Sequence, residues 1–291
     1  NAGDSQMFAA GNKYKVKFPI YGVTNVSANV TLENSTVTNA KGVSNRSVHV
    51  LGNLNLRGIV TIDGANWALG VQKSGVVTSE PGSKLVLKNA TYGITTHDTS
   101  NVHIVDVESS NISNSALYND GSSVMVVDKA SLGASASGKN TVNVLKGTVT
   151  LSNATITNPG NYAVIQKNGV LNLNNVTALN APGWSVCVDG ANAVLKATDL
   201  TISGSKGTCL QIQNGTADVT NLVTTNMASS HSVKVVAGTL TITGMNLGVS
   251  NSNNLNIAGG EVNFHGTCVI TGAKANYGLR IDAAATANVH S

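Results

Sequence analysis

The feature that most constrains this chain is a sequence repeat of 22 to 25 residues, which runs through nearly its whole length. Each unit contains a run of alternating aliphatic residues that ends at a polar or small residue. Eleven units at so regular a spacing predict a solenoid, in which each unit packs on its neighbours. The residues that end these runs are Asn34, Gly58, Pro81, Asp106, Asp128, Asn153, Asn175, Asp199, Asn221, Gly244 and Gly266.

One unit shows how a coil divides. From residue 163 it reads AVIQ, a KNG turn, VLNLN, a corner at Asn175, VTAL and a second turn, NAPG. Three short strands per repeat predict a parallel β-helix, in which each strand pairs with its counterpart one coil along, about 4.8 Å away. Asn and Gly suit the corner because both tolerate a left-handed backbone, whereas Pro81 is an exception. Leucine-rich repeats have a similar period, but Leu is not dominant here.

The predicted fold is therefore all-β: a right-handed, single-stranded parallel β-helix of about eleven coils with three strands per coil. We expect a single domain over residues 1–291, with coils over residues 20–285. Residues 1–19 differ from the repeat, because NKYKVKFPIYG alternates lysines with larger apolar residues. This pattern predicts a strand that caps the N-terminal end of the solenoid. A basic patch is the alternative interpretation of Lys13, Lys15 and Lys17.

Composition narrows the classes of function. Apolar residues make up 41% of the 291 residues, charged residues only 11%, and the net charge is +4. No apolar run approaches the roughly 18 residues of a membrane helix, so we expect no membrane insertion. The positive charge is too weak to indicate nucleic acid, but it suits an acidic polymer. We expect a monomer that needs no cofactor.

The cysteines Cys187, Cys209 and Cys268 lack the spacing of a metal site, and their odd number argues against a disulfide scaffold. Cys187 and Cys209 fall on adjacent coils but two positions out of step. Their Cα atoms should then lie about 8 Å apart, beyond the roughly 7 Å limit for a disulfide. We expect three free thiols and no metal site. The chain opens NAGDSQ, without a signal-like apolar stretch, and we expect a mature or excised segment.

The repeat and its polar corners resemble the pectate-lyase-like right-handed β-helix superfamily over roughly residues 20 to 285. That resemblance implies a binding cleft along the first strand of each coil, flanked by the turns before and after it. The third residue of each first strand should point outward, and this column is mostly polar, which predicts a solvated face. Its members are His49, Gly70, Thr95, Tyr118, Asn143, Ile165, Cys187, Gln211, Lys234, Asn256 and Arg280.

A second column lies three residues before the first and holds both tryptophans and three of the six tyrosines. Rings beside hydrogen-bonding groups suit a sugar, although burial under the preceding turn would also explain them. Its members are Arg46, Trp67, Tyr92, Ser115, Asn140, Tyr162, Trp184, Thr208, His231, Asn253 and Tyr277.

Cations add to this face, either as a binding strip or as ordinary solubilising surface charge. Together the two columns and the following turns give the predicted ligand-binding residues. These are Arg46, His49, Trp67, Lys73, Tyr92, Tyr118, Lys146, Tyr162, Lys167, Trp184, Lys234 and Arg280. Binding through such a strip should weaken with salt. It should also strengthen below about pH 6.5, where His49, His97 and His231 would gain charge.

Catalysis is the alternative use of such a face. Hydrolysis requires carboxylates about 5 to 9.5 Å apart, and a lyase requires an Asp-lined calcium site with a basic residue. Only Asp98 and Asp120, in the same turn of adjacent coils with His97 and Tyr118 close, suggest such a site. The paired-Asp, Gly-His-Gly and Arg-x-Lys motifs of polygalacturonases are missing from the sequence. We therefore expect no enzymatic activity, with Asp98, Asp120 and His97 as the fallback catalytic residues.

The low charge, the Asn, Thr and Ser richness and the missing catalytic motifs resemble the binding regions of serine-rich repeat adhesins of lactobacilli. This resemblance implies an extracellular module on the bacterial cell surface, attached through regions outside this segment. Its partners would be acidic polysaccharides, such as pectins, or host mucin glycans, bound without catalysis. Two alternatives remain: a lyase or glycoside hydrolase acting on pectin-like polymers, and the passenger domain of a Gram-negative autotransporter adhesin.

Overall fold

A computed structural model describes residues 5–8, 11–16, 20–21, 23–39, 46–133, 135–227, 230–274 and 276–290. These residues form parallel strands stacked as a β-solenoid of about eleven turns, consistent with the predicted right-handed β-helix. Throughout the described part of the chain, no helix has the length and apolarity needed to cross a membrane.

The strands form three faces. The first face carries the predicted cleft and contains β1 (Ser5–Phe8), β4 (Val23–Val26), β7 (Arg46–Val50), β10 (Trp67–Val71), β13 (Tyr92–Asp98), β16 (Leu117–Gly121), β19 (Val142–Val144), β21 (Val164–Gln166), β25 (Val233–Val235), β27 (Leu255–Ile257) and β29 (Leu279–Ile281). The second face contains β2 (Lys13–Val16), β5 (Asn29–Glu33), β8 (Asn53–Arg57), β11 (Val76–Ser79), β14 (Asn101–Ile104), β17 (Val124–Val127) and β30 (Ala285–His290). The third face contains β3 (Ile20–Tyr21), β6 (Thr36–Thr38), β9 (Ile59–Asp63), β12 (Lys84–Lys88), β15 (Val107–Ser110) and β18 (Ala130–Leu132).

Six longer strands continue through corners and contribute to more than one face. They are β20 (Thr148–Thr157), β22 (Gly169–Leu179), β23 (Val186–Ser203), β24 (Leu210–Thr225), β26 (Thr239–Leu247) and β28 (Gly260–Ile270). The predicted corner at Asn175 thus lies inside a single strand, β22, and bends it.

Strands β1 and β2 come from the segment predicted as a cap. They pair in parallel with β4 and β5, and so begin the first and second faces. The remainder of that segment, including Lys17 and Phe18, lies outside the described residues.

The pairing register confirms the predicted outward column. Each of its eleven members, from His49 to Arg280, pairs with the next member one coil along. The preceding residue of each strand points inward, and these aliphatic side chains from Val48 to Leu255 are at most 1% exposed. Only Leu279, in the last first-face strand, is substantially exposed, at 43%.

The predicted corner column is largely confirmed. Asn153, Asn175 and Asn221 have a positive φ, as do Gly58 and other members of the column. At Pro81 the prediction was wrong by one residue. There Gly82 takes the positive φ of 78°, within a turn in which the Ser83 N–H donates to the Glu80 carbonyl.

Asp106 and Asp128 were predicted in this column, but neither has a left-handed backbone. At Asp128 the prediction was wrong by one residue, because the pairing of Val127 with Leu151 and of Ala130 with Ala154 puts Lys129 opposite Asn153. The Asp106 carboxylate forms a surface ion pair with Lys129, and Asp128 Oδ2 lies 2.9 Å from His103 Nε2, within hydrogen-bond distance. The acidic members of the column are thus not uniform, since Asp199 does have a positive φ of 55°.

A second left-handed column, which the sequence analysis missed, follows the third strand. It includes Asn89, Asn111, Asn158, Asn180 and Asn226. Its side-chain amides bond along the stack: Asn180 Nδ2 donates to Asn158 Oδ1 at 3.0 Å, and Asn111 Nδ2 donates to Asn89 Oδ1 at 3.1 Å. Asn recurs in this protein because it satisfies two corners of the coil.

Candidate functional site

The floor of the first face is the outward column itself, and it is less solvated than predicted. His49, Tyr118 and Lys234 are half-buried, but Thr95, Cys187 and other members are buried. The expectation of a solvated face was therefore wrong for much of its length. The side chains of the second column, which lie three residues before each floor residue, cover part of the floor.

Gly70 shows how the cover arises. A Cβ built on Gly70 would lie 3.1 Å from Arg46 Cδ and 3.3 Å from Trp67 Cε3. The ring and the arginine stem therefore occupy the space above a floor position that has no side chain. The Arg46 guanidinium carbon lies 4.5 Å from the centre of the Trp67 ring, a cation–π geometry.

Next to this pair lies an aromatic pocket. His97 stacks on Trp67 with ring centres 5.1 Å apart, and Tyr118 contacts Tyr92 edge to face at 5.3 Å. Trp67 and Tyr92 are neighbours, as predicted, with ring centres 6.5 Å apart. The cavity between these rings measures about 270 Å³ and is lined by Asn66, Trp67, Tyr92, Thr95, His97 and Tyr118.

A polar side chain next to the aromatic pocket hydrogen-bonds one of its rings. Asn114 Nδ2 donates to the Tyr92 hydroxyl at 2.9 Å. Burial, followed by the charge of Asp120, raises the pKa of Tyr118, so this hydroxyl stays protonated at neutral pH. Asn66 and Asn114 were not predicted, because single polar residues beside a ring column give no signal in a sequence already rich in Asn and Thr. Thr95 was predicted in the outward column but not among the ligand-binding residues.

The fallback catalytic residues do not form a carboxylate pair in register. Asp120 lies opposite His97, whereas Asp98 lies opposite Gly121. Asp98 Oδ2 accepts the backbone N–H of Lys73 at 2.9 Å, so this carboxylate fastens one turn to the next. His97 does lie close to Tyr118, with ring centres 6.2 Å apart, as the sequence suggested.

A second aromatic element, here called the middle platform, consists of Tyr162 and Trp184. Their rings stack with centres 5.2 Å apart and planes only 2° from parallel. Both side chains are half-buried, which lies between the two interpretations left open by the sequence. The floor beside them is apolar, because Ile165 and Cys187 are 6% and 0% exposed.

The predicted cations divide into paired and unpaired groups. Lys167 forms an ion pair with Asp189, and Arg280 Nε lies 2.8 Å from Asp282 Oδ1. Among the residues that the structure describes, Lys73, Lys146 and Lys234 form no ion pair. The cationic character of the first face therefore rests more on these three lysines than on Lys167 and Arg280.

Beyond the middle platform lies what we call the polar end, formed by Gln211, His231, Lys234, Asn256 and Arg280. Gln211, Lys234, Asn256 and Arg280 are consecutive floor residues. The His231 Nε2 and Asn256 Nδ2 atoms lie 3.3 Å apart.

Two of the predicted histidines resist protonation. Burial, then the charges of Arg46 and Lys73, lowers the pKa of His49. Burial, then Lys234, lowers the pKa of His231. The expectation that both gain charge just below pH 6.5 was therefore wrong, and in the free protein they do so only at lower pH. His49 Nε2 lies 3.0 Å from Gln72 Oε1, a bond that offsets part of the effect.

The three cysteines are free. Burial raises the pKa of Cys187 and of Cys209 to about 12, so neither is a thiolate at neutral pH. No group of three His, Cys, Asp or Glu side chains able to hold a metal occurs among the described residues.

Comparison with protein-family models, with curated proteins and with solved structures found no match for this chain.

Proposed function

We propose that this chain is the non-catalytic binding module of a bacterial surface adhesin, and that it holds anionic polysaccharides, pectin-like or mucin-type, along its first face. The aromatic pocket is the observation that supports this proposal most. Ring faces stand there beside amide, hydroxyl and imidazole groups, which matches the alternation of C–H faces and hydroxyl edges on a sugar. The solenoid is compatible with such a module.

Charge supports an acidic partner. Arg46 lies against Trp67, and Lys73 is exposed in the turn after the same strand. A polysaccharide that carries carboxylates could contact both while its sugar rings occupy the aromatic pocket. A non-catalytic role is supported by Asp98, whose carboxylate already accepts a backbone N–H.

The test is a glycan array that includes polygalacturonate and mucin glycans, followed by calorimetric titration of the best ligand. Trp67→Ala should weaken binding about tenfold, because one ring face buries apolar surface worth about 1 to 2 kcal/mol. Tyr14→Ala is the matched control, since Tyr14 is a half-buried ring on the second face. It should leave the affinity unchanged.

A cleavage assay belongs beside the titration. Release of unsaturated or reducing ends from polygalacturonate, lost in Asp98→Ala or Asp120→Ala, would replace the adhesin by the enzyme alternative. Equal affinity of Trp67→Ala and the wild type would show that the aromatic pocket is not the binding site.

A further inference from the structure

We infer that the polar end is a separate subsite for a carboxylate-bearing sugar residue, distinct in chemistry from the aromatic pocket. The inference rests on the proposed function. It states that the acidic group of the ligand binds at one part of the first face, the polar end. Three observations lead to it: unsatisfied buried acceptors, an unpaired lysine between them, and the distance from the aromatic pocket.

The unsatisfied groups lie on either side of Lys234 in the floor. Gln211 is 1% exposed and Asn256 is 7% exposed, and their Oε1 and Oδ1 atoms have no hydrogen-bond partner among the described residues. Buried polar atoms are rarely left without a partner, since each unsatisfied group costs about 1 to 3 kcal/mol. Such groups mark a place where a ligand or water completes the bonds.

The chemistry of these groups specifies the ligand. Amide oxygens accept hydrogen bonds, and sugar hydroxyls donate them. Lys234 lies between Gln211 and Asn256 in the register and forms no ion pair with any described residue. An ammonium flanked by acceptors fits a residue that carries both hydroxyls and a carboxylate, as a uronic or sialic acid does. A neutral sugar would leave the lysine unpaired, and a simple anion would leave the amides unpaired.

The polar end is also too far from the aromatic pocket for one sugar to fill both. Four rung steps separate Tyr118 from Gln211 in the floor. At about 4.8 Å per step the separation is about 19 Å. The middle platform lies between them, so the ligand that uses both subsites is an oligosaccharide running along the solenoid axis.

The experiment compares galacturonate oligomers with the same oligomers after reduction of their carboxylates to alcohols. Lys234→Met removes the charge and keeps the apolar stem. It should weaken binding of the acidic oligomer about tenfold, as for one charge-assisted hydrogen bond, and leave the reduced oligomer unaffected. It should also lower the salt dependence for the acidic oligomer. Asn256→Ala should weaken both oligomers.

Lys196→Met is the matched control, because Lys196 is exposed on the second face and carries the same charge. Melting temperatures of all variants exclude unfolding as the cause of weaker binding. If Lys234→Met binds the acidic oligomer as the wild type does, while Trp67→Ala does not, the subsite is wrong and the proposed function stands. If the wild type binds neither oligomer nor any glycan of the array, both are wrong.

Discussion

The corner columns and the second column of the first face are both repeated in every coil, yet they differ in what they repeat. At the corners the same residue types recur: Asn175 Nδ2 donates to Asn153 Oδ1 at 2.9 Å, and Asn221 Nδ2 donates to Asp199 Oδ1 at the same distance. In the second column the residue changes from coil to coil, from arginine through tryptophan and serine to histidine.

The difference follows from what the backbone demands. A left-handed corner admits few residues, so Asn, Asp and Gly return there whatever the protein does. A position in the second column has no such backbone requirement, because its side chain folds over the floor without altering the strand. Variation within a regular stack therefore marks the surface that is free for recognition.

The largest expected effect is at a corner. Asn175→Val places a β-branched residue at a φ of 54° and removes the amide bond to Asn153. The free energy of unfolding should fall by about 2 to 3 kcal/mol, from the left-handed backbone and the lost hydrogen bond together. Asn175→Gly keeps the backbone allowed and should cost only about 1 kcal/mol. Urea denaturation measures both.

The neighbouring position supplies the control for this corner. Asn174 is equally exposed and lies in the same strand, without a positive φ. Asn174→Val removes only the exposed hydrogen bond from Asn174 Nδ2 to Ser152 Oγ, so it should cost no more than about 1 kcal/mol. If Asn174→Val and Asn175→Val destabilised the protein equally, the left-handed corner would place no special demand on the residue. The contrast between the corner columns and the second column would then be wrong.

A middle-sized effect is expected in the second column. Trp184 lies three residues before Cys187, as Trp67 lies before Gly70, and it stacks on Tyr162. Trp184→Ala should lower stability by about 1 to 2 kcal/mol, since only part of the ring is buried. It should also uncover the floor, so that Cys187 reacts faster with a thiol reagent.

The rate at which the thiols react tests whether the Trp184 ring covers the floor of the first face. In the native wild type, half-buried Cys268 should react first, and denaturation should release all three thiols. Cys268→Ser removes that first phase and isolates Cys187 for the Trp184→Ala measurement. An unchanged rate for Cys187 in that background would mean that Trp184 does not cover the floor.

The smallest expected effect is that of pH on the two histidines. Because His49 and His231 have a lowered pKa in the folded protein, the unfolded chain binds protons first as pH falls. The free energy of unfolding should therefore be unaffected by them well above pH 6.5, fall below that value, and level off below the folded-state pKa. The double variant His49→Gln and His231→Gln should flatten this dependence in denaturant melts. It should match the wild-type stability at pH 8, and a slope as steep as in the wild type would contradict the burial argument.

The sequence predicted the coils better than the cover of the face. Register follows from hydrophobic alternation and from residues such as Asn175 that a corner requires, so the outward column could be placed residue by residue. Burial of Ile165 or Gln211 in that column depends on which neighbouring side chains fold over it, and no local pattern records this. The same limit applies to Asp98, whose partner is a backbone N–H 25 residues away along the chain.

The parallel stacking of the coils has a consequence for how a ligand is measured. Floor residues succeed one another at a fixed step, and strands of the first face pair only with their neighbours one coil away. Positions along the first face are therefore spaced at a fixed interval of about 4.8 Å. Insertion or deletion of one coil between Tyr118 and Gln211 would lengthen or shorten the distance between the aromatic pocket and the polar end by one such interval. It would thereby change the length of the oligosaccharide that can bind at both.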